Sequence, residues 1–421
     1  MKSNIVRILV NKLTLFFIFL MLSNFGFSQK NSKIEIGTID SISSKILNEN
    51  RKIWIHLPRS LKYAGVFAKK KYPVVYLLDG DAHFSSVVGM IEQLSEINGN
   101  TNCPEMIVVG ITNTNRNRDL TPTHSEVDLP FVPKTVSDQS GGGEKFAEFL
   151  EKELIPYINT KYPTAPYKTL VGHSFGGLTV MNILTNHTSL FNSYVAIDPS
   201  MWWDHDRFLK ETTKKLATKN LTNISLFLAA ANTMDDHMDL IKVRKDTTVF
   251  TRHIRAILDL NDFLKENKKS NLNYDYKYYN EDDHGSVPLI ATYDAFRFIF
   301  KFNQLKLSIP EQIDFNKEVF AKIEKHFKEV SKHLGYKVDV PESTVNNFAY
   351  QSLGKKDLEL AGYLFKLNVA NYPQSPNVYD SLGDFYEASG DKKNAIANYE
   401  KVLAMDKNFP ETKGKLDKLL K

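Results

Sequence analysis

The sequence predicts an α/β fold: a mostly parallel sheet with helices on both faces, followed by an all-α tail. Three observations carry this expectation. Short apolar runs such as KYPVVYLLDG (71–80) and MIVVGIT (106–112) alternate with stretches of helical spacing, the pattern of strands buried on both faces of a sheet. Strand-like runs stop near residue 305, and charged amphipathic helix takes over. Residues 342–375 and 376–409 then match each other at a spacing of 34, the sign of a repeated helical unit.

The elements follow in order. Residues 33–57 alternate as two strands, KIEIGTIDSI and RKIWIHLP. After the strand at 71–80, SSVVGMIEQLSEI has helical spacing and leads to the strand at 106–112. Residues 113–143 are polar, contain three prolines and end in GGG, which predicts a long functional loop. EKFAEFLEKELIPYI (144–158) reads as a helix, YKTLVGH as a strand and GLTVMNILTN as a helix. Strands SYVAI (193–197) and ISLFLAA (224–230), a helix over 248–267, strand NYDYKYYN (273–280) and a closing helix within HGSVPLIATYDAFRFIFKF complete the block. In parallel sheets, ligands bind at the carboxyl ends of the strands.

The tail pairs Phe348 with Leu382, Ala349 with Gly383, Ala361 with Ala395 and Phe365 with Tyr399. Small residues where helices cross, with an aromatic four residues on, resemble tetratricopeptide repeats. Two copies fall short of an independent solenoid, so the tail is expected to lean on the helix before it or on the catalytic block. The expected organisation is a signal peptide over 1–28, a catalytic block over 29–305, a linker helix over 306–341 and repeats over 342–421.

The first 28 residues combine Lys2, Arg7 and Lys12 with the apolar run LTLFFIFLML and small residues in GFSQ, as a secretory signal does. The chain is therefore expected to be exported, periplasmic or secreted, with no membrane span once the signal is removed. Without that segment the net charge falls from +5 to about +2, so no basic footprint calls for nucleic acid. Cys103 is the single cysteine in 421 residues, so packing rather than an internal disulfide must supply stability.

The chemistry centres on GHSFG (172–176), which fits the G-x-S-x-G nucleophile elbow between a strand and a helix. Such a turn is so sharp that residues two positions from the serine must lack side chains. It lifts the hydroxyl of Ser174 above the sheet edge, while the helix start offers N–H groups to an oxyanion. A serine hydroxyl needs a base, and in the α/β-hydrolase fold the histidine follows the last strand. His284 sits there. His173 reads as a packing neighbour, and His124, His205, His237 and His253 show no metal-ligand spacing. The triad acid is expected after ISLFLAA, with Asp235 first, Asp236 second and Asp239 third. Asp198 after SYVAI is the rival, and a Ser–His dyad without an acid stays open. The oxyanion hole is expected from the backbone N–H groups of Phe175 and Asp81, the latter in the LLDGDAHF loop where Gly80 lets the backbone come close.

The motifs LLDGDAHF, ITNTNRNRDLTPT, SGGGEKFAEFLEKELIPYI, GHSFGGL, DPSMWWD and DHGSVP, in this order, resemble the esterase D-like family of α/β-hydrolases. The nearest branch resembles the ferric-siderophore esterases of the enterobactin and salmochelin type. The resemblance covers residues 33–302 and implies serine ester hydrolysis with neither metal nor cofactor, through Ser174 and His284. The wider family also holds feruloyl and acetyl-xylan esterases, S-formylglutathione hydrolase and mycolyl transferases, so the substrate class extends to glycan-linked esters. The repeat tail departs from the simple siderophore esterases.

Arg116 and Arg118 follow a sheet strand, where a guanidinium could bind an anionic or catecholate substrate in fork geometry; a local Arg–Asp pair holding the loop is the alternative. Trp202 and Trp203 are candidates for the pocket wall or for core packing. Two other readings stand beside it: acyl transfer, which uses the same residues and differs only in excluding water, and a scaffold in which the hydrolase block is a relic and the repeats dock a protein partner in their groove.

Overall fold

The alternating apolar runs form eight strands in one sheet. They are β1 (Thr38–Ser44), β2 (Glu49–His56), β3 (Tyr72–Leu77), β4 (Ile107–Ile111), β5 (Thr164–His173), β6 (Ser193–Ile197), β7 (Ser225–Ala231) and β8 (Asn273–Tyr279). Their order across the sheet is β1-β2-β4-β3-β5-β6-β7-β8. The β1–β2 and β2–β4 pairs are antiparallel, and every pair from β4 to β8 is parallel. The computed structural model describes residues 33–63, 70–127, 129–130, 132–313, 316–409 and 411–421. The expected signal peptide at 1–28 lies outside these residues.

Successive side chains of a strand point to opposite faces, and here both faces are covered. Val74 and Tyr76 of β3 enter the apolar core on one side of the sheet, while Val75 and Leu77 enter the core on the other. All six residues of β3 are buried, as are all five of β4 and β6. This is why the central strands read as unbroken apolar runs. The helices that frame the site are α1 (Gly80–Ser95), α2 (Arg116–Leu120), α3 (Phe175–Asn186), α4 (Arg252–Glu266) and α5 (Val287–Ile299).

The segment 113–143 differs from the expected plain loop. It contains α2 and a second short helix, Lys134–Gln139. Helix α2 is pinned from beneath. Asp119, 1% exposed, pairs with Arg51 of β2, also 1% exposed, and with Arg118, while Arg118 reaches Glu49. Two charges buried this deeply stay in place only when each has a partner, so the cluster fixes the loop to the sheet. The structure adds a helix, Arg207–Leu216, between β6 and β7 that is absent from the expected elements, with Phe208, Leu209 and Leu216 buried.

The tail is built from α6 (Lys317–Leu334), α7 (Glu342–Gly354), α8 (Leu358–Asn371), α9 (Pro376–Ala388), α10 (Lys392–Met405) and α11 (Thr412–Leu420). Every boundary of the α9–α10 pair lies 34 residues beyond that of the α7–α8 pair. Gly383, one of the matched small residues, and the nearby Gly362 sit at helix crossings. A Cβ on Gly383 would collide with the Tyr399 ring, and one on Gly362 would lie 2.7 Å from the Phe385 ring. Helix α6 is a bridge rather than a bare connector. Val330 and Leu334 pack into the sheet core with Phe296 and Phe300, whereas Val319, Phe320 and Ile323 pack with Phe348 and Phe365 of the tail. Residues 37–421 accordingly form one compact unit.

A cavity of about 850 Å³ lies where the block meets the tail, lined among others by Glu105, His326, Tyr336 and Glu342. None of the residues around Ser174 line it, so it is not the cleft above the elbow.

The bridging role of α6 sets an expectation. Leu334→Ala, which empties a 2% exposed position, should destabilise the protein by about 2–5 kcal/mol. In denaturant unfolding followed by circular dichroism, an unchanged midpoint would contradict this.

Candidate active site

Ser174 lies at the end of β5 with φ 60° and ψ −117°. A non-glycine residue with such a backbone costs on the order of 1–3 kcal/mol. One backbone hydrogen bond returns only about 0.5–1.5 kcal/mol net, so several constraints must act together. The Ser174 N–H donates to the Ile197 carbonyl at 3.0 Å, and its own carbonyl accepts from Leu178 at 2.9 Å and Ser200 at 3.2 Å. Gly176, two residues on, has more room than the motif implies, a Cβ there lying 3.2 Å from Asp79 Oδ2, whereas Gly172 and Gly177 are sterically required. A Cβ on Gly172 would collide with the backbone of Gly176, and one on Gly177 would lie 2.9 Å from Pro199 Cβ. The serine itself remains partly exposed.

The end of β3 lies beside this corner, since the Leu78 N–H donates to the Val171 carbonyl at 2.9 Å. Asp79 then turns into the left-handed region, with φ 52° and ψ 44°, and α1 begins. Gly80 packs so tightly that a Cβ would lie 2.6 Å from the Gly110 backbone. The N–H groups of Phe175 and Asp81 occupy the first and second positions of α3 and α1, where helix geometry provides no intrahelical acceptor. Two helix starts, each with its positive end, thus follow the neighbouring strands β5 and β3.

His284, in the loop after β8, donates from Nδ1 to Asp198 Oδ2 at 2.6 Å. That bond leaves Nε2 as the bare, basic nitrogen of the neutral ring. The imidazole is 42% exposed on its side chain, and it lies against His173, the residue before Ser174, with ring centroids 4.5 Å apart. Burial, helped by the neighbouring His284, pushes the His173 imidazole down to about 3. His173 thus presents a neutral surface to the His284 ring.

Asp198 stands immediately after β6 with φ 41°, a conformation that aspartate tolerates better than most residues. It has no solvent exposure. Burying an unpaired carboxylate would cost several kcal/mol, while hydrogen bonds to a charged group each return about 1.5–3 kcal/mol. Three donors reach it: Ala231 N–H on Oδ1 at 2.9 Å, and His284 and His253 on Oδ2 at 2.6 and 2.8 Å. Burial pushes the carboxyl up, but His253 and then His284 outweigh it, so the group stays well below the usual carboxylate range.

Asp198, His253 and His284 form the cluster of potential metal ligands among the described residues. Its hydrogen bonds do not suit a metal. Trp202 Nε1 donates to His253 Nδ1 at 3.0 Å, and an indole nitrogen can only donate. His253 Nδ1 is therefore an acceptor and Nε2 carries the proton, pointed at Asp198. A cation would have to displace two N–H groups already aimed at the same oxygen.

The expected residues are thus distributed unevenly. Ser174 and Phe175 follow β5, Asp81 follows β3 and His284 follows β8, all at the carboxyl edge of the sheet, and the His284 ring lies against His173 beside the serine. The carboxylate on His284 is the rival, Asp198, rather than Asp235. Asp235 and Asp236 are exposed in the loop after β7, and Asp239 caps a short helix through the N–H groups of Ile241 and Lys242. Arg116 lies close to the elbow but spends its fork on Asp79, with Nε to Oδ1 at 2.7 Å and Nη2 to Oδ2 at 2.9 Å. Arg118 is committed to Asp119 and Glu49. Both therefore take the loop-holding alternative. Trp202, 6% exposed, packs on Phe175 and serves His253, while Trp203 is fully buried. His253 was not singled out by spacing, because it lies on α4, far in sequence from the elbow.

The family model described as "Putative esterase" matches residues 44–255, half of the chain. The chain belongs to this esterase family. Ferri-bacillibactin esterase BesA of Bacillus subtilis is 31% identical over 177 residues, which are 39% of this chain and 61% of that protein. The siderophore enterobactin esterase of Emericella nidulans is 26% identical over 190 residues, 42% of this chain and 61% of that protein. The chain thus spans about three fifths of the length of these curated relatives. The solved structure of an IroE-like serine hydrolase from Shewanella oneidensis is 30% identical with a TM-score of 0.63, covering 79% of this chain and 98% of that one. An uncharacterised protein from Capnocytophaga ochracea shares the fold alone, at 21% identity and TM-score 0.55, over 91% of this chain and 99% of that one. That likeness therefore extends into the tail.

The pairing makes two expectations measurable. Asp198→Asn should lower kcat for an activated ester by about a thousandfold or more, while Asp235→Asn should leave it within about twofold; the reverse ranking would restore Asp235. Because the folded-state pKa of Asp198 is depressed, its stabilisation is full above the unfolded value of about 3.9 and is lost as pH falls towards the folded value. Between pH 6 and pH 3, the thermal midpoint of wild type should therefore fall further than that of Asp198→Asn.

Proposed function

We propose that the protein is a serine esterase that hydrolyses carboxylic esters through an acyl-enzyme, with siderophore-type esters as its substrate class. The observation that carries this reading is the strained Ser174 at the elbow, beside an imidazole whose Nδ1 is tied to a buried carboxylate. Family membership and the relatives named as siderophore esterases support it.

In this mechanism the Ser174 hydroxyl attacks the ester carbonyl and passes its proton to His284 Nε2. Asp198 holds the ring in the required tautomer and stabilises the imidazolium without taking the proton. The N–H groups of Phe175 and Asp81 hold the oxyanion. His284 then gives the proton to the leaving alkoxide. A water attacks the acyl-enzyme by the same route in reverse, releasing acid and restoring Ser174. The neutral His173 lets the imidazolium form without a second positive charge beside it. Arg116 acts through Asp79, holding the oxyanion loop against the elbow.

We read the N-terminal segment as an export signal, which suits an enzyme meeting siderophores in the periplasm or outside the cell. We read α7–α10 as tetratricopeptide-type repeats, supported by the 34-residue offset and the small residues at the crossings.

A fluorophosphonate probe should label wild type and not Ser174→Ala. Ser174→Ala and His284→Ala should each lower ester turnover by at least about a thousandfold. Turnover within tenfold of wild type in either variant would overturn the mechanism. A panel of trilactone siderophore, hydroxycinnamoyl and acetyl-sugar esters should show the highest kcat/KM for the first; a preference for either of the others would reassign the substrate.

A further inference from the structure

We propose that His253 is a positioning residue of this site: an uncharged donor, locked by Trp202, that holds the Asp198 carboxylate in register for His284. The inference rests on the serine-esterase reading and adds a residue that the mechanism does not require.

The triad logic needs one imidazole on the acid, yet Asp198 Oδ2 accepts two, from His284 at 2.6 Å and His253 at 2.8 Å. They are not equivalent. The His284 ring is part-exposed at the cleft, whereas the His253 side chain is 15% exposed and sits in the first turn of α4. Its Nδ1 faces the Trp202 N–H at 3.0 Å. An imidazolium would carry N–H on both nitrogens and would meet that indole N–H head-on, donor against donor. Trp202 therefore holds His253 in one neutral tautomer, with its single proton on Nε2. Trp202 is itself held by its packing on Phe175 and Trp203.

The consequence for Asp198 is geometric and electrostatic. Ala231 N–H fixes Oδ1 and His253 fixes Oδ2, so the carboxylate cannot rotate about its Cβ–Cγ bond when His284 changes charge. The remaining acceptor capacity of Oδ2 points at His284. Because His253 already draws on that oxygen, Asp198 competes less for the shared proton, which stays on His284 Nδ1 through the cycle. A neutral donor achieves this without placing a second positive charge next to the imidazolium. The titratable groups that face the cluster are His284 from the loop after β8, His173 from the end of β5 and Tyr276 from β8. The Arg252–Asp206 ion pair lies one residue along α4.

The test compares three replacements in the full chain, with an activated ester as substrate. His253→Phe removes the donor and keeps the ring. His253→Asn places an amide where Nδ1 was, short of Asp198. His253→Gln carries an amide N–H to the place of Nε2. The expected result is a kcat lowered about 10- to 100-fold in the Phe and Asn variants, with KM within about twofold. The acid limb of kcat/KM should move up by about half a pH unit or more, because Asp198 then acts on His284 alone. The low-field proton resonance of His284 Nδ1–H should shift with it. His253→Gln should recover most of the kcat and return the acid limb to its wild-type position.

Wild-type kcat, acid limb and proton resonance in the Phe and Asn variants would overturn the proposal. So would a Gln variant as impaired as they are, since that would mark a packing role. Ser174→Ala run alongside separates the two levels: if it retains turnover, the esterase reading itself fails, whereas loss in Ser174→Ala with no effect at His253 defeats only this inference.

Discussion

A carboxylate with no access to water sits at the end of β6, and the loops around it are arranged to satisfy it. Asp198 brings together four chain segments that are distant in sequence: its own strand end, the end of β7 through Ala231, the start of α4 through His253 and the loop after β8 through His284. An unpaired charge there would cost more than any single contact could return. The ion therefore selects the one loop arrangement in which all its donors are present. The His284 imidazole is placed as a by-product of solvating the carboxylate.

The nucleophile side obeys a different constraint, steric rather than electrostatic. Ser174 can hold its backbone only because Gly172 and Gly177 leave room for the strand and helix to meet. The same crowding brings Asp79 to the corner, where the Arg116 fork neutralises it and also reaches the His173 carbonyl at 3.4 Å. The oxyanion loop and the elbow thus share one guanidinium, which is why that arginine is spent on architecture.

The sheet and the elbow were legible because their signals are local. A central strand buried on both faces must be apolar throughout, so β3, β4, β6 and β7 announce themselves, and the glycine spacing around Ser174 follows from one sharp turn. The place of His284, after the last strand, was legible from chain order. The acid was not, because an aspartate after a strand looks alike whether it caps a turn, as Asp239 does, or solvates an imidazole. In the structure the carboxylate bonded to His284 stands at the end of β6, not of β7. His253 was illegible for the same reason: only the folded sheet brings α4 to Asp198. Within 113–143, polar composition hid two short helices, since α2 is held by the buried Arg51–Asp119 pair rather than by its own propensity.

Helix α6 gives its two ends to different partners, with Val330 and Leu334 in the sheet's core and Phe320 and Ile323 in that of the tail. The repeats are therefore no detachable cassette, because one helix serves both cores. A shortened chain ending at residue 305 would leave an oily scar where Phe296 and Phe300 meet α6, and would be expected to clump rather than to report on the enzyme alone.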